Sequence, residues 1–188
     1  MKKNIPNALT LFRGLATLLI VVLLYSSLEE RWAIAYVLFL LAALSDYLDG
    51  YLARRWGVTS DFGIVCDPLF DKVLVLTLIL LLYTSNVVSP LILLILFVRD
   101  ITTDALKNYL LAQGIFTPAI YSAKIKTVAQ MVMLNFILLA LAFPAIPWFP
   151  SAATLSGVVA MIFSLWSGGS YVKRFIALTR KKATSSIQ

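Results

Sequence analysis

The chain has 188 residues, of which 61% are hydrophobic and only 13% charged, with a formal net charge of +7 and a mean hydropathy of +0.91. A soluble domain averages about 45–50% apolar and roughly 25% charged residues, so this composition belongs to an integral membrane protein and leaves no polar stretch long enough for a separate soluble domain. The single Cys66 excludes an intrachain disulfide, and the basic residues flank apolar runs without forming a patch, which argues against nucleic acid as a partner.

The N-terminal segment MKKNIPNALTLFRG does not read as a signal peptide, because Arg13 interrupts the apolar run and no small-residue cleavage site precedes Glu29. Residues of about 1–10, with Asn4 or Asn7 as cap and Pro6 in the first turn, predict a short amphipathic helix lying in the interface. A membrane-crossing helix needs about 20 mostly apolar residues. Six such spans follow, near Leu9–Leu28, Trp32–Ala53, Ser60–Thr84, Val87–Ala112, Ser122–Phe143 and Phe149–Val172, and residues 173–188 form a basic tail. The predicted fold is therefore an all-α integral membrane protein, one domain over 1–188, with six transmembrane helices behind an interfacial helix.

Positive charges set the orientation. Lys2, Lys3 and Arg13, Arg54 and Arg55, Lys124 and Lys126, and the basic residues from Lys173 to Lys182 all fall on one side of a six-span arrangement. The other side has Arg31 alone, beside Glu29 and Glu30. The positive-inside rule then places both termini in the cytoplasm, in a multi-pass protein of the cytoplasmic membrane. With the spans so oriented, the ionisable residues of the second to fourth (Asp46, Asp49, Asp67, Asp71, Lys72, Arg99, Asp100, Asp104, Lys107) lie in their cytoplasmic halves. A charge at membrane depth costs about 2.5–3.5 kcal/mol even on the lenient insertion scale, so these groups are expected to face a polar chamber open to the cytoplasm.

Five of the nine acidic residues fall between Ser45 and Lys72. On a helix, Asp46, Asp49, Gly50 and Ala53 fall at i, i+3, i+4 and i+7, and Gly63, Asp67 and Asp71 at i, i+4 and i+8, each set on one face. Asp61 points elsewhere and reads as a helix cap. The tight RRWGVTS turn makes the two helices antiparallel neighbours, so four carboxylates converge. Singly, each could be a solvated residue or a partner of Arg54, Arg55 or Lys72. Together they would repel in a low dielectric unless cations joined them. All-oxygen ligands favour Mg²⁺ or Mn²⁺, and four carboxylates suit a pair of ions, an arrangement that serves in-line phosphoryl transfer. Gly50 and Ala53 leave room for a phosphate ligand, and Arg54 supplies a guanidinium fork for it.

The pattern D46-x-x-D49-G50-x-x-A53-R54-(eight residues)-G63-x-x-x-D67-x-x-x-D71 resembles, at eight specified positions, the signature of the CDP-alcohol phosphotransferase family. The flanking stretches NIPNALTLFR, GYLARRWGVTSDFG, DPLFDK and AKIKTVAQM extend the resemblance over most of the chain. It implies a six-helix, dimeric membrane enzyme that displaces CMP from a CDP-linked lipid by the hydroxyl of an alcohol. Carried onto these residues, Asp46, Asp49 and Asp67 would hold the metal ions, with Asp71 contributing to one and acting as base toward the acceptor. Asp49, Gly50, Ala53, Arg54 and Gly63 would line the CDP subsite, with Asn7 and Thr10 near the nucleotide. Lying one turn beyond Asp67, Asp71 is also the carboxylate the geometry sets apart.

KIKT followed by AQ resembles the branch that joins CDP-diacylglycerol to glycerol 3-phosphate, for whose phosphate Arg99, Lys107, Lys124 and Lys126 are candidates. Arg99 could instead pair with Asp100 or Asp104, and Lys124 and Lys126 could be headgroup contacts. That branch has Arg-Glu where this chain has Arg99-Asp100, and Asp there also fits the cardiolipin-synthase branch, whose acceptor is phosphatidylglycerol. From another class, a divalent-cation transporter would also hold aspartates within the membrane, but would be expected to show broken helices or repeats near the midplane. Trp32, Trp56, Trp148 and Trp166 read as interfacial anchors or packing, and Gly157, Gly168 and Gly169 as positions of close helix packing, including at a dimer face.

Overall fold

The computed structural model describes the backbone of residues 4–56, 61–118 and 120–185, and the side chains of 7–52, 55–56, 63, 66–118 and 120–180. Six α-helices follow one another: α1 (Asn4–Leu24), α2 (Arg31–Trp56), α3 (Asp61–Thr84), α4 (Pro90–Ala112), α5 (Tyr121–Ala142) and α6 (Phe149–Ser185). No strand occurs among the described residues. By length and composition α1, α2, α5 and α6 qualify to cross a membrane, and the chain is a multi-pass membrane protein. With 24 and 23 residues, α3 and α4 are as long, but they carry Asp67, Asp71 and Lys72, and Arg99, Asp100, Asp104 and Lys107.

Two boundaries differ from the sequence expectation. The segment assigned to a separate interfacial helix is the beginning of α1, which runs unbroken from Asn4. Pro6 stands in its first turn, where a missing N–H costs no helix hydrogen bond, so nothing forces a break there. At the other end the basic tail continues α6 as far as Ser185, because KRFIALTRKKA contains no helix breaker.

Helix ends are set locally. Ser89 caps α4, its hydroxyl accepting from the Ile92 N–H at 3.4 Å, with Pro90 at the first helical position. The same helix ends on Gly114 at φ 76°, where the Ile115 and Gly114 N–H groups reach back to the Leu110 and Leu111 carbonyls, both at 2.9 Å. Asn86, at φ 58°, closes α3 in the same way, with Val87 bonded to Leu82 and Asn86 to Tyr83. Both are left-handed caps, which glycine and asparagine tolerate best.

The helices form two compact units. The first comprises residues 1–87 and 134–153, thus α1, α2, α3, the second half of α5 and the start of α6. Here α1 packs along both α2 and α3. Its buried face is Thr10, Arg13, Ala16, Thr17 and Ile20, a helical spacing that begins with polar residues and ends on an apolar one. Ala35, Phe39, Ala42, Ser45 and Asp49 form the buried face of α2; Leu74, Leu78 and Leu82 continue that of α3 beyond Asp71. Each helix therefore grades from an apolar to a polar contact face along its own length, which gathers the polar ends of α1, α2 and α3. Small residues permit the close approach: a Cβ on Gly14 would lie 2.8 Å from the Phe70 ring.

The second unit comprises residues 88–133 and 154–188, thus α4, the first half of α5 and most of α6. The glycines expected at close packing positions divide. Gly157 faces Ile92, and Gly168 lies against the Arg99 side chain, where an added Cβ would stand 3.1 Å from Cγ. Gly169 has no described atom within 4 Å of such a Cβ.

The Gly14–Phe70 contact predicts a stability effect at the root of the first unit. Gly14→Val is expected to destabilise the detergent-solubilised protein by about 1–3 kcal/mol, the usual cost of overpacking. Adding Phe70→Leu should recover part of that loss in thermal melts.

Candidate active site

The first unit buries an arginine among the motif aspartates. Arg13 projects from α1, and its Nη2 donates to Asp49 Oδ2 at 2.6 Å and lies 2.9 Å from Asp46 Oδ1. Its Nη1 donates to Asp71 Oδ1 at 2.5 Å. One guanidinium thus ties the α2 carboxylates to the α3 carboxylate. Its side chain is 0% exposed, against 5% for Asp49, 31% for Asp71 and 43% for Asp46, so the cluster opens on the side of Asp46 and Asp71 and is closed behind by Arg13. Arg13 Nε is buried with no hydrogen-bond partner among the described residues.

The fourth carboxylate is held differently. Thr10, one turn before Arg13, donates its hydroxyl to Asp67 Oδ1 at 2.6 Å. Directly after Asp67, Pro68 stands inside α3 and withholds the N–H that the Ile64 carbonyl would otherwise accept, a local fault between Asp67 and Asp71. Thr17, one turn beyond Arg13, turns its hydroxyl back to the Arg13 carbonyl at 2.9 Å. The polar end of α1 thereby supplies both a cation and a hydroxyl to the motif helices.

The structure thus brings Asp46, Asp49 and Asp71 onto one cation and attaches Asp67 to the same stretch of α1. Gly50 follows Asp49 on α2; Asn7 and Gly63 are half-buried and each makes an interaction of its own. The side chains of Ala53, Arg54 and Asp61 lie outside those described. Oxygen donors alone surround the cation, a set that suits a hard divalent ion. As they stand, however, no three acidic side chains among the described residues are close enough together to hold one ion. The guanidinium occupies the point on which they converge.

Sequence reasoning counted Arg13 only as a positive-inside charge. The signal that could have found it was present: a lone cation inside an apolar run, spaced i, i+3 and i+7 with Thr10 and Thr17, in a chain that needs a counter-charge for its aspartates.

The second unit carries the inverse arrangement. Lys126 Nζ, from α5, donates to both carboxylate oxygens of Asp100 at 2.8 Å each, and Arg99 Nη1 donates to Asp100 Oδ1 at 2.8 Å. Arg99 Nη2 donates to Ser167 on α6, and its guanidinium stands over the Tyr171 ring, 5.9 Å from the centroid. Lys107 Nζ lies 4.8 Å from the centroid of the same ring. So Arg99 does pair with Asp100, one of the two partners the sequence allowed. Lys126 is buried and committed to the same carboxylate, whereas Lys124, two residues earlier, is exposed. Arg99 Nε is buried without a partner among the described residues, and the side chain lines an open groove of about 240 Å³ with Thr102, Thr103 and Gly168.

Apolar helices thus bury carboxylates that converge on a cation. The sequence comparisons state the class. The family model for CDP-alcohol phosphatidyltransferases matches residues 3–166, and the chain belongs to that family, whose members are transferases. It is similar to proteins named CDP-diacylglycerol–glycerol-3-phosphate 3-phosphatidyltransferase. The one from Rickettsia typhi is 29% identical over 91% of this chain and 96% of the relative. The one from Salmonella typhimurium is 36% identical over 92% of this chain and 94% of the relative.

The Asp100 clamp predicts a large stability effect. Asp100→Ala takes the shared carboxylate from buried Lys126 and part-buried Arg99 and is expected to cost about 3–5 kcal/mol in thermal or denaturant unfolding. Exposed Lys124→Ala should stay within about 0.5 kcal/mol of the parent.

Proposed function

We propose that this chain transfers the phosphatidyl group of CDP-diacylglycerol to sn-glycerol 3-phosphate, giving phosphatidylglycerophosphate and CMP. The observation that carries this reading is the buried convergence of Asp46, Asp49 and Asp71 at the polar ends of α1, α2 and α3, in a chain with the family signature and near-full-length relatives named for this reaction. The enzyme is proposed to work in the cytoplasmic membrane of a bacterium as a homodimer, with six spans and both termini inside.

Members of this family depend on divalent metal, and we assign Asp46, Asp49 and Asp67 to hold two ions, Mg²⁺ or Mn²⁺, with Asp71 contributing to one. Bound there, the ions would supply positive charge to the diphosphate of the donor and to the departing CMP. Asp49, Gly50, Ala53, Arg54 and Gly63, with Asn7 and Thr10 from α1, are the proposed CDP-lipid subsite. Thr10 acts there through Asp67, whose carboxylate it orients.

Asp71 serves as the base. Its carboxylate takes the proton of the acceptor hydroxyl as that oxygen bonds to the lipid-linked phosphorus. The bond from this phosphorus to the bridging oxygen then breaks, and CMP leaves with the electron pair. Partial exposure suits Asp71 to that role, since a base must meet the acceptor while its other face is held. Arg99 and Lys126, with Lys107 and Lys124, are assigned to the acceptor phosphate. Asp100 keeps two of these cations in place, and the Tyr171 ring steadies Arg99 and Lys107.

The decisive experiment is an acceptor panel with purified protein and labelled CDP-diacylglycerol. CMP release is expected with glycerol 3-phosphate and not with serine, inositol, inositol phosphate or phosphatidylglycerol. Release with phosphatidylglycerol instead would move the chain to the cardiolipin-synthase reading. Absence of CMP release with every acceptor, together with metal flux in vesicles, would favour a transporter.

Two variants probe the assignments. Asp71→Asn is expected to lower turnover by about two to four orders of magnitude while CDP-lipid binding persists. Arg99→Ala should raise the KM for glycerol 3-phosphate by about 10- to 100-fold, the equivalent of a lost charge-assisted contact, and leave the KM for CDP-diacylglycerol nearly unchanged.

A further inference from the structure

Arg13 has no place in the eight-position signature and no role in the reaction as derived above. Yet it is fully buried and makes three ion pairs of 2.5–2.9 Å with three of the four motif aspartates. We propose that Arg13 is a resident counter-cation, a positioning residue that holds the carboxylate cluster together in its metal-free form and yields those carboxylates when divalent ions bind. This rests on the divalent-metal reading of the same site.

The geometry makes the two cations competitors. Arg13 occupies Asp46 Oδ1, Asp49 Oδ2 and Asp71 Oδ1, lone pairs that ion coordination would need. A magnesium ion requires its oxygens at about 2.0–2.1 Å in near-octahedral order. A guanidinium presents donors spread over a planar fork, and spaces its acceptors accordingly. That spacing accounts for the aspartates converging while no three among the described residues can close on one ion.

A second observation concerns satisfaction. Arg13 Nε is buried without a partner among the described residues, so the pose leaves one donor unmet although three carboxylates crowd the other end. An orphan buried donor is costly, which marks a pose held by the aspartates' need for charge and not by full complementarity. A third point is functional. In this arrangement Asp71 Oδ1 is bound to Arg13 at 2.5 Å, so a carboxylate assigned to accept a proton has one oxygen already occupied. Release of Arg13 on metal binding would free that oxygen, coupling assembly of the metal site to availability of the base.

Without Arg13, Asp46, Asp49 and Asp71 would lose the cation that bridges them, and the resulting repulsion would be relieved by the ions themselves. Competition therefore has a signature that a purely structural arginine lacks: removing it should tighten metal binding.

The test uses full-length protein in detergent. Mn²⁺ binding is followed by loss of the free-ion electron paramagnetic resonance signal, and thermal unfolding is measured in chelator and in saturating Mn²⁺. Arg13→Gln is expected to bind Mn²⁺ about tenfold more tightly than the parent, as expected when a competing state is removed. It should melt below the parent in chelator, with the gap narrowing in Mn²⁺. Arg13→Lys, a single ammonium unable to span three carboxylates, should fall between the two, and it carries the affinity measurement if the glutamine variant does not fold. Unchanged or weaker Mn²⁺ binding in the variant measured would overturn the exchange, as would a melting deficit equal with and without Mn²⁺. Failure of the parent to bind Mn²⁺ at all would remove the metal reading itself, and this proposal with it.

Discussion

The contact on which the rest of the first unit depends is the buried guanidinium of Arg13 among Asp46, Asp49 and Asp71. Carboxylates within an apolar helix bundle repel one another and lose their hydration, and either effect alone favours unfolding or protonation. An internal cation answers both. It also dictates packing, since Arg13 can reach two helices only if α1 lies along both, and α1 does so through Gly14, Ala16 and Thr17. The apolar portions of α1, α2 and α3 then pack as ordinary membrane helices beyond the charged end.

The second unit solves the complementary problem with opposite signs. Where Arg13 stands among three carboxylates, Asp100 stands between two cations, Arg99 and Lys126. Formally, the first cluster keeps an excess of negative charge and the second an excess of positive charge. Each fixed ion is the minority partner that makes the majority tolerable. Within a membrane such charge is costly, which is why both clusters are internally paired. The Asp100 clamp also changes how the departure from Arg-Glu to Arg99-Asp100 reads. A shorter acid at this position still accepts from both cations, so its length does not by itself decide the acceptor.

Much of this was legible in the sequence, and the failures have physical causes. Helix count and order followed from apolar runs punctuated by EER, SNVVSP, QGIFTPAIY and PAIPWFP, because each break contains turn formers or charges. The faces of α2 and α3 followed from i, i+3, i+4 spacing, which is why Asp46, Asp49, Asp67 and Asp71 were expected together; three of them meet on Arg13, whereas Asp67 is held by Thr10. The separate N-terminal helix was not found, because proline in a first turn permits a helix to begin as readily as it marks an end. Arg13 was missed because a single basic residue near a span terminus satisfies the orientation rule, and that explanation hid the need for a counter-charge. Pairing of Arg99 and Lys126 through Asp100 was only half legible: adjacency suggested the first contact, but the second joins α4 to α5 at a separation of 26 residues.

The choice of arginine at position 13 has its own logic. A lysine buried beside apolar neighbours can shed its proton and cease to be a counter-ion, whereas a guanidinium remains charged under all conditions in which the protein folds. Its fork also reaches partners on two helices at once, with Nη2 toward α2 and Nη1 toward α3, which one ammonium could not do at these distances. The eight-position pattern resides wholly on α2 and α3, yet the cation that joins Asp46, Asp49 and Asp71 comes from α1. The charge-bearing end of α1, with Thr10 on Asp67 and Arg13 on the other three aspartates, completes the cluster electrostatically. The cluster is therefore built from three helices, and its third member contributes through two side chains outside the eight-position pattern.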